Sequence, residues 1–139
     1  MVKSSKEFFS PKTLIPPGPA RYSHIAKVSQ GAVVYVSGQV SSDASGKLIG
    51  EGDFGAQVEQ VFANLEIAME AAGGTMVDIV KLNYYVVAEV DQAEVPKFRA
   101  IRDRFINVAS PPASTWVYVT RLARPGWLVE IEAVAAIDG

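Results

Sequence analysis

The sequence predicts an α+β fold in which two helices cover one face of a mixed β-sheet. Two segments have the apolar spacing of amphipathic helices, and the segments around them are rich in β-branched and aromatic residues. Single helices connect the middle strands, and a turn-like segment joins the strand pair at each end of the chain, which predicts a hairpin there. The predicted element order is β-β-α-β-α-β-β, which places both helices on one side of the sheet.

The chain begins with a proline-rich segment, which we predict to be an extended arm. Residues 1–21 contain four of the eight prolines, and proline disfavours regular structure. Two antiparallel strands are predicted at 22–28 and 32–37, joined by a tight turn with the sequence SQG. We therefore divide the chain into an arm, 1–21, and a single domain, 22–139.

The first helix is predicted from residue 54 to residue 72. Asp53 is a candidate N-cap, and Gly73 with Gly74 is a candidate stop. The apolar stripe of this helix consists of Val58, Val61, Phe62, Leu65, Met69 and Ala72.

The second half of the chain contains a strand, a helix and two further strands. The strands are predicted at 78–87, 115–120 and 127–136, the last two joined by the turn-like sequence RLARPG. Pro96 fits the helix only in its first turn. The predicted apolar face of this helix consists of Phe98, Ile101, Phe105 and Val108.

Length and composition predict one globular domain that assembles with copies of itself. The chain has 139 residues, of which 49% are hydrophobic and 20% charged. Two helices cover only one face of a sheet, so the other face needs a second subunit. The sequence therefore predicts a homo-oligomer.

Charge and residue usage disfavour several classes of function. Thirteen Lys and Arg against fifteen Asp and Glu give a net charge of −2, so we expect neither nucleic acid nor membrane as a partner. The chain has no cysteine and one histidine, His24, which excludes thiol catalysis and disfavours a metal site. Without an apolar leader or membrane span, we expect a cytoplasmic protein.

Two carboxylates interrupt the apolar run of the last predicted strand. Glu130 and Glu132 are two residues apart, so they point to the same face, roughly 6.5 to 7 Å apart. They either lie on an outer face, solvated or paired with Arg121 and Arg124, or line a cleft between subunits. In a cleft, one of them positions a water molecule and has a raised pKa suited to proton transfer.

Five short motifs together resemble one known family. RYSHIAKV, VVYVSGQV, AMEAAGGTMVDIVKLNYYV, PPAST and LVEIEAVA occur in this order from Tyr22 to Ala136. The chain resembles the RidA/YjgF family, the reactive-intermediate deaminases also called L-PSP proteins. The resemblance implies a chorismate-mutase-like fold and a homotrimer with a small-molecule cleft between each pair of subunits.

The resemblance also implies a reaction and its residues. Members hydrolyse enamines and imines to 2-keto acids and ammonia without a metal or organic cofactor, so we expect no cofactor here. An arginine holds the substrate carboxylate and a glutamate positions the attacking water. On the motifs of this sequence, the glutamate corresponds to Glu130, the pocket tyrosine to Tyr22 and the pocket serine to Ser37.

This chain departs from the family pattern at the arginine. Ser114 stands at the arginine position, Trp116 replaces a small residue, and Phe98 stands where a helix often has asparagine. We therefore expect a natural substrate other than a 2-imino acid. Arg121 and Arg124 are expected in the rim or the turn, and replacement of the clamp by one of them is the alternative. The predicted catalytic residue is Glu130, and the predicted substrate-binding residues are Tyr22, Ser37, Phe98, Ser114, Thr115 and Trp116.

Two functions remain open, and a third is disfavoured. Glu130 favours a hydrolase of imines, enamines or related reactive metabolites. The alternative is a trimer that binds a small ligand without catalysis, for example as a regulator. Ribonuclease activity is disfavoured because the acidic chain lacks clustered Lys and Arg. Trp116 either fills a subunit interface or stacks on a ligand.

Overall fold

A computed structural model describes residues 5–138 and confirms the predicted fold class. Six strands and two helices follow one another along the chain, with short 3₁₀ turns at 18–20, 76–78 and 92–94. The elements are β1 (Lys6–Phe9), β2 (Ile25–Val28), β3 (Ala32–Gln39), α1 (Phe54–Ala71), β4 (Ile79–Val87), α2 (Val95–Arg102), β5 (Ala113–Val119) and β6 (Val129–Ile137). Among the described residues, neither helix is long and apolar enough to cross a membrane.

The main sheet is mixed and contains four strands in the order β3-β6-β4-β5. β6 lies in the interior and pairs antiparallel with both β3 and β4, whereas β4 and β5 run parallel. A parallel pair needs a long crossover, and α2 lies in the connection between these two strands.

The predicted hairpins at the two ends of the chain are wrong. β2 pairs with β1 instead of β3, with Lys6 opposite Val28 and Phe9 opposite Ile25. The proline-rich arm therefore contains a strand, although its first four residues lie outside the described part of the chain. At the other end, β6 inserts between β3 and β4, because its apolar side chains are buried most fully in the sheet interior.

α1 begins and ends where the sequence predicts. The carboxylate of Asp53 accepts a hydrogen bond from the backbone N–H of Ala56 at 3.0 Å, which caps the N-terminus. Gly73 has φ +88°, a left-handed conformation that favours glycine, and the N–H of Gly74 donates to the carbonyl of Met69.

α2 is shorter than the apolar pattern predicts. Phe98 and Ile101 are buried as expected, but the helix ends at Arg102 and Val108 is 43% exposed. The side chain of Asn107 accepts a hydrogen bond from the N–H of Ala109, a local turn that competes with continued helix. Phe105 lies beyond the helix end but still packs on the core, its ring centre 5.1 Å from that of Phe62, so the predicted apolar face fails only at Val108.

The core lies between the two helices and one face of the main sheet. The helices contribute Phe62, Leu65 and Phe98, and β4 and β6 contribute alternating residues such as Leu82 and Ile131. The opposite sheet face, which we call the open face, is covered by neither helix. Its large exposed apolar side chains are Val33, Tyr35 and Val117.

A buried glutamine on α1 fixes the start of β6. The amide Nε2 of Gln57 donates to the carbonyl of Gly50 at 3.1 Å and to that of Gly126 at 2.9 Å, while its Oε1 accepts from the N–H of Leu128 at 2.9 Å. Leu128 precedes the strand that carries Glu130. One side chain thus ties two loops to the helix and sets where β6 begins.

We expect Gln57→Leu to lower the free energy of unfolding by about 3 kcal/mol, because three buried hydrogen bonds lose their partner. Urea denaturation followed by circular dichroism measures the change. Gln60→Leu is the matched control, since Gln60 makes one hydrogen bond, to Asn64, and should lose less than about 1 kcal/mol. Equal losses in the two variants would contradict the proposed role of Gln57.

Candidate functional site

The structure places the predicted site residues on two different sides of the main sheet. Ser114 and Trp116 lie opposite Leu82 and Tyr84 of β4 and share their helix-covered face. Thr115 alternates with them and lies on the open face. On the open face are Glu130, Ser37 and Thr115; on the helix side are Tyr22, Ser114 and Trp116.

The two glutamates of β6 share the open face but have different partners. Oε1 of Glu132 accepts hydrogen bonds from the hydroxyl of Tyr85 at 2.5 Å and from Nδ2 of Asn83 at 3.1 Å. The carboxylate of Glu130 accepts no hydrogen bond from any described residue. Glu130 is therefore the one that remains available to hold a water molecule or a ligand.

Burial and a neighbouring charge change the pKa of Glu130. Partial burial raises the pKa of its carboxyl, and the negative charge of Glu132 raises it further. The pKa of Tyr85 is also raised, mainly because its hydroxyl donates to Glu132. A carboxyl with a raised pKa exchanges protons more readily near neutral pH than an ordinary glutamate.

Pairing of the glutamates with Arg121 or Arg124 is not observed, so that interpretation is wrong for the single chain. Arg121 donates to the backbone carbonyl of Leu122 at 3.3 Å. The guanidinium of Arg124 lies over the ring of Trp127, 5.5 Å from its centre. Ser114 lines a cavity that is described below, and neither arginine reaches it. Within the single chain, neither therefore provides a guanidinium beside Ser114.

The SGQ motif approaches Glu130 closely. A Cβ atom on Gly38 would collide with the carboxylate of Glu130, so only glycine fits without displacing it. The pairing of β3 with β6 is irregular between Val36 and Gln39, which brackets this glycine. Ser37, next to it, is exposed and lines a groove of about 350 Å³ with Asn83 and Glu132.

A buried arginine fixes the arm that carries Tyr22. Arg102 is 3% exposed, and its guanidinium donates to the carbonyl of Ala20 at 2.6 Å and to that of Pro19 at 3.3 Å. Asp103 accepts from Arg102 at 2.8 Å and also pairs with Arg21 at 3.1 Å. These contacts compensate the buried charge and hold the arm against α2.

A second contact joins the arm to the start of β5. The hydroxyl of Ser23 donates to the carbonyl of Pro111 at 2.7 Å, and its N–H donates to the carbonyl of Pro112 at 3.1 Å. The YS and PPAST motifs, far apart in the sequence, are therefore neighbours. Tyr22 and Ser114 consequently line the same cavity.

This cavity, which we call the α2/β5 cavity, has a volume of about 290 Å³. Aromatic rings form much of its wall: the ring centre of Trp116 lies 5.8 Å from that of Tyr84 and 5.9 Å from that of Tyr118. No carboxylate lies on its wall. The lining residues are Ala20, Tyr22, Tyr84, Val95, Arg99, Arg102, Ser114, Trp116 and Tyr118.

Phe98 is placed in the core and not on the cavity wall. It is fully buried, and its ring centre lies 4.7 Å from that of Trp116. Its predicted contact with substrate is therefore not supported by the single chain, because helix packing turns Phe98 inward and Arg99 outward. Trp116 packs on Phe98 within the chain and lines the cavity, so its filling of a subunit interface or stacking on a ligand stays a prediction.

Sequence analysis missed the basic side chains of this cavity. Arg99 and Arg102 are one helical turn apart on α2, and both reach the wall. Tyr84, which was not among the predicted site residues, also borders the cavity although it is 3% exposed. The i, i+3 spacing of two arginines on a predicted helix was the available signal, but it did not show which way they face.

Comparisons with known proteins agree with this architecture. The family described as Endoribonuclease L-PSP matches residues 15–137. A RutC family protein of Pyrococcus abyssi is 32% identical over 127 residues, covering 91% of this chain and 93% of the relative.

Two solved structures are similar over most of the chain. The first, from Yersinia pestis, is described as a protein of unknown function of the conserved Rid family; it is 34% identical, with a TM-score of 0.88, covering 96% of this chain and all of that one. The second, RidA from the Antarctic bacterium Psychrobacter, is 35% identical with a TM-score of 0.67, covering 84% and 88%. Both structures and this chain share the chorismate-mutase-like fold.

We expect Glu132→Gln to lower the pKa of Glu130, because it removes the neighbouring negative charge. Carboxyl ¹³C NMR titration measures this pKa, with Glu51→Gln as the control on an exposed loop.

A raised carboxyl pKa makes the folded state bind more protons than the unfolded chain between the ordinary and the raised values. Stability therefore falls as pH rises through that window, and the fall should be smaller in Glu132→Gln. An unchanged Glu130 titration would refute the coupling.

Proposed function

We propose, from the premise that this chain belongs to the L-PSP family of RidA, YjgF and RutC proteins, that it hydrolyses imines, enamines or related reactive metabolites. The observation that most supports the proposal is the difference between the two glutamates. Glu132 is occupied by Tyr85 and Asn83, whereas the carboxylate of Glu130 has no hydrogen-bond partner among the described residues and has a raised pKa.

The proposed reaction uses Glu130 to position and deprotonate a water molecule. Water adds to the carbon of the C=N bond, its proton passes to Glu130, and the same proton is then available to the departing nitrogen. Loss of ammonia from the resulting carbinolamine leaves a carbonyl compound. The hydroxyls of Tyr22, Ser37 and Ser114 are candidate hydrogen-bond partners for the substrate.

The proposed active site is composite, because one chain cannot bring its halves together. Glu130 and Ser37 lie on the open face, whereas Tyr22 and Ser114 line the α2/β5 cavity on the helix side of the sheet. A neighbouring copy can place its cavity against the open face of the first. The exposed apolar side chains Tyr35, 80% exposed, and Val33, 55% exposed, provide surface for this contact.

A contact between two different surfaces favours a ring. If the open face of each copy meets the cavity side of the next, the interface is head-to-tail, and it forms a ring when the rotation between copies closes. We propose a homotrimer, the assembly that the family resemblance implies. Its partners are then other copies of the chain and a small-molecule substrate, and we place the protein in the cytoplasm.

A serine in place of the clamp arginine supports a changed substrate. Ser114 offers a hydroxyl and no charge at the start of β5, and the wall around it is largely aromatic. Small 2-imino acids lose their bidentate partner at this position. This same substitution favours the second candidate function, a trimer that binds a small ligand without catalysis.

Ribonuclease activity, which the family description suggests, is not our proposal. The chain has a net charge of −2, and the open face carries the two carboxylates of Glu130 and Glu132. Phosphate backbones are bound by clusters of Lys and Arg, so a carboxylate-bearing face would repel them.

We expect Glu130→Ala to lower the rate of imine hydrolysis about 100-fold or more, because a general base contributes at least this much. Imines are generated in situ by an amine oxidase or an amino-acid oxidase, and ammonia release is followed against the uncatalysed rate. Glu51→Ala is the control. Ser114→Arg should increase the rate on small 2-imino acids by restoring the clamp. Equal rates for wild type and Glu130→Ala on every imine would favour the ligand-binding alternative.

A composite site makes a second prediction about mixed oligomers. Glu130→Ala damages the open face, and Ser114→Trp fills the α2/β5 cavity, so each variant alone should be inactive. Co-expressed in equal amounts, they should regain about a quarter of wild-type activity, the fraction of head-to-tail interfaces with two intact halves. Mass measurement of the mixture verifies that mixed oligomers form. Mixed oligomers with no recovered activity would show that each chain contains a whole site.

A further inference from the structure

We propose that the α2/β5 cavity binds a carboxylate attached to a flat aromatic body, and that Arg99 is the residue that holds the carboxylate. This inference rests on the proposed function for the role of the cavity and names the class of compound that the cavity takes. Arg99 belongs to none of the five motifs that carry the family resemblance. We assign it as the residue that determines which ligands the cavity binds.

Arg99 differs from the other arginines of the chain in its contacts. Arg102 binds two backbone carbonyls and Asp103, and Arg21 pairs with Asp103. Arg104 pairs with Glu59. Arg121 donates to the carbonyl of Leu122, and Arg124 lies over the ring of Trp127. Arg99 lines the cavity and is half-buried, and its guanidinium has no hydrogen bond or ion pair with any described residue. Its five donors are available to a ligand.

The charges around the cavity favour an anion. Arg99 and Arg102 reach the wall, and Arg21 lies beside it in the arm, while Asp103 is the acidic group that neutralises part of this charge. No lining residue is a carboxylate. A guanidinium in a partly desolvated, aromatic-walled cavity binds a carboxylate through paired, charge-assisted hydrogen bonds.

The hydroxyl of Tyr84 is a second hydrogen-bond donor that the cavity offers to a ligand. Tyr84 is 3% exposed and lines the cavity, yet its hydroxyl hydrogen-bonds no described residue. Burial raises the pKa of Tyr84, so the group stays protonated and can donate. No fully buried polar side-chain atom of the described residues lacks a partner, so this hydroxyl is open to the cavity and can donate to an acceptor atom of a bound ligand.

The walls favour a planar body behind the acid group. Trp116 lies edge-on to Phe98 and at 68° to Tyr118, so the rings form an angled pocket instead of a flat surface. The cavity, about 290 Å³, holds on the order of ten water molecules' volume, which suits one ring with a short acidic side chain. Planar rings pack favourably against such aromatic walls.

The position of the charge also explains why small 2-imino acids are poor candidates. With Ser114 on β5 and the guanidinium on α2, the acid group of a ligand must lie against the helix.

The other large groove, about 630 Å³, does not compete for anions. It is lined by the carboxylates of Asp53, Glu89, Asp91 and Glu94 with Lys97 as its basic side chain.

Isothermal titration calorimetry with phenylacetate tests the proposal. We expect measurable binding of phenylacetate, and at least about tenfold weaker binding of neutral phenylacetamide and of acetate, which lack the charge and the ring respectively. Arg99→Gln should weaken phenylacetate binding about tenfold or more, and Arg99→Lys should lose less because it keeps the charge. Arg124→Gln is the matched control and should bind like wild type.

The titrations are repeated in Glu130→Ala, because Glu130 does not line the α2/β5 cavity of its own chain and binding is then measured in a protein without the proposed general base. Phenylacetate binding that depends on Arg99 supports the inference even if no imine is hydrolysed. Equal affinities for phenylacetate and phenylacetamide, no binding of phenylacetate, or unchanged affinity in a folded Arg99→Gln protein would each overturn it, whatever the hydrolysis assays show. Circular dichroism verifies that each variant is folded.

Discussion

The two-residue repeat of side chains along the strands is the constraint on which the site depends. In β4, alternation sends Tyr84 toward the helices and Tyr85 toward the open face; in β5 it separates Ser114 from Thr115 in the same way. The sheet itself therefore stands between the carboxylates and the α2/β5 cavity. In the site we propose, the two halves come from different copies, because the sheet separates them within one chain.

The open face shows how local contacts give different roles to identical residues. Glu130 and Glu132 have the same side chain, the same strand and the same face, yet Glu132 is neutralised in part by two donors and Glu130 by none. The glycine at 38 leaves space for the carboxylate of Glu130. Two glutamates with different partners thus lie two residues apart, and burial together with the charge of Glu132 raises the pKa of Glu130.

The cavity depends on a buried charge that is fully compensated. Arg102 would be destabilising at 3% exposure without Asp103 and the two carbonyls of the arm. By binding those carbonyls, it brings the arm and Tyr22 to the cavity and leaves Arg99, one turn earlier, with no partner to satisfy. In this arrangement the cavity has a guanidinium on α2 and the hydroxyl of Ser114 on β5, which is the basis of the ligand that we propose.

The sequence determined the elements and the family motifs, because periodicity, caps and prolines act locally. It predicted both helices, the β4 to β6 strands within a few residues, and Asp53 and Gly73 at the ends of α1. It did not determine strand pairing, since β2 pairs with an arm that its prolines had marked as irregular. Only the tertiary structure decided which glutamate is free, that Phe98 faces inward, and that Arg99 faces the cavity, because these depend on contacts between segments far apart in the chain.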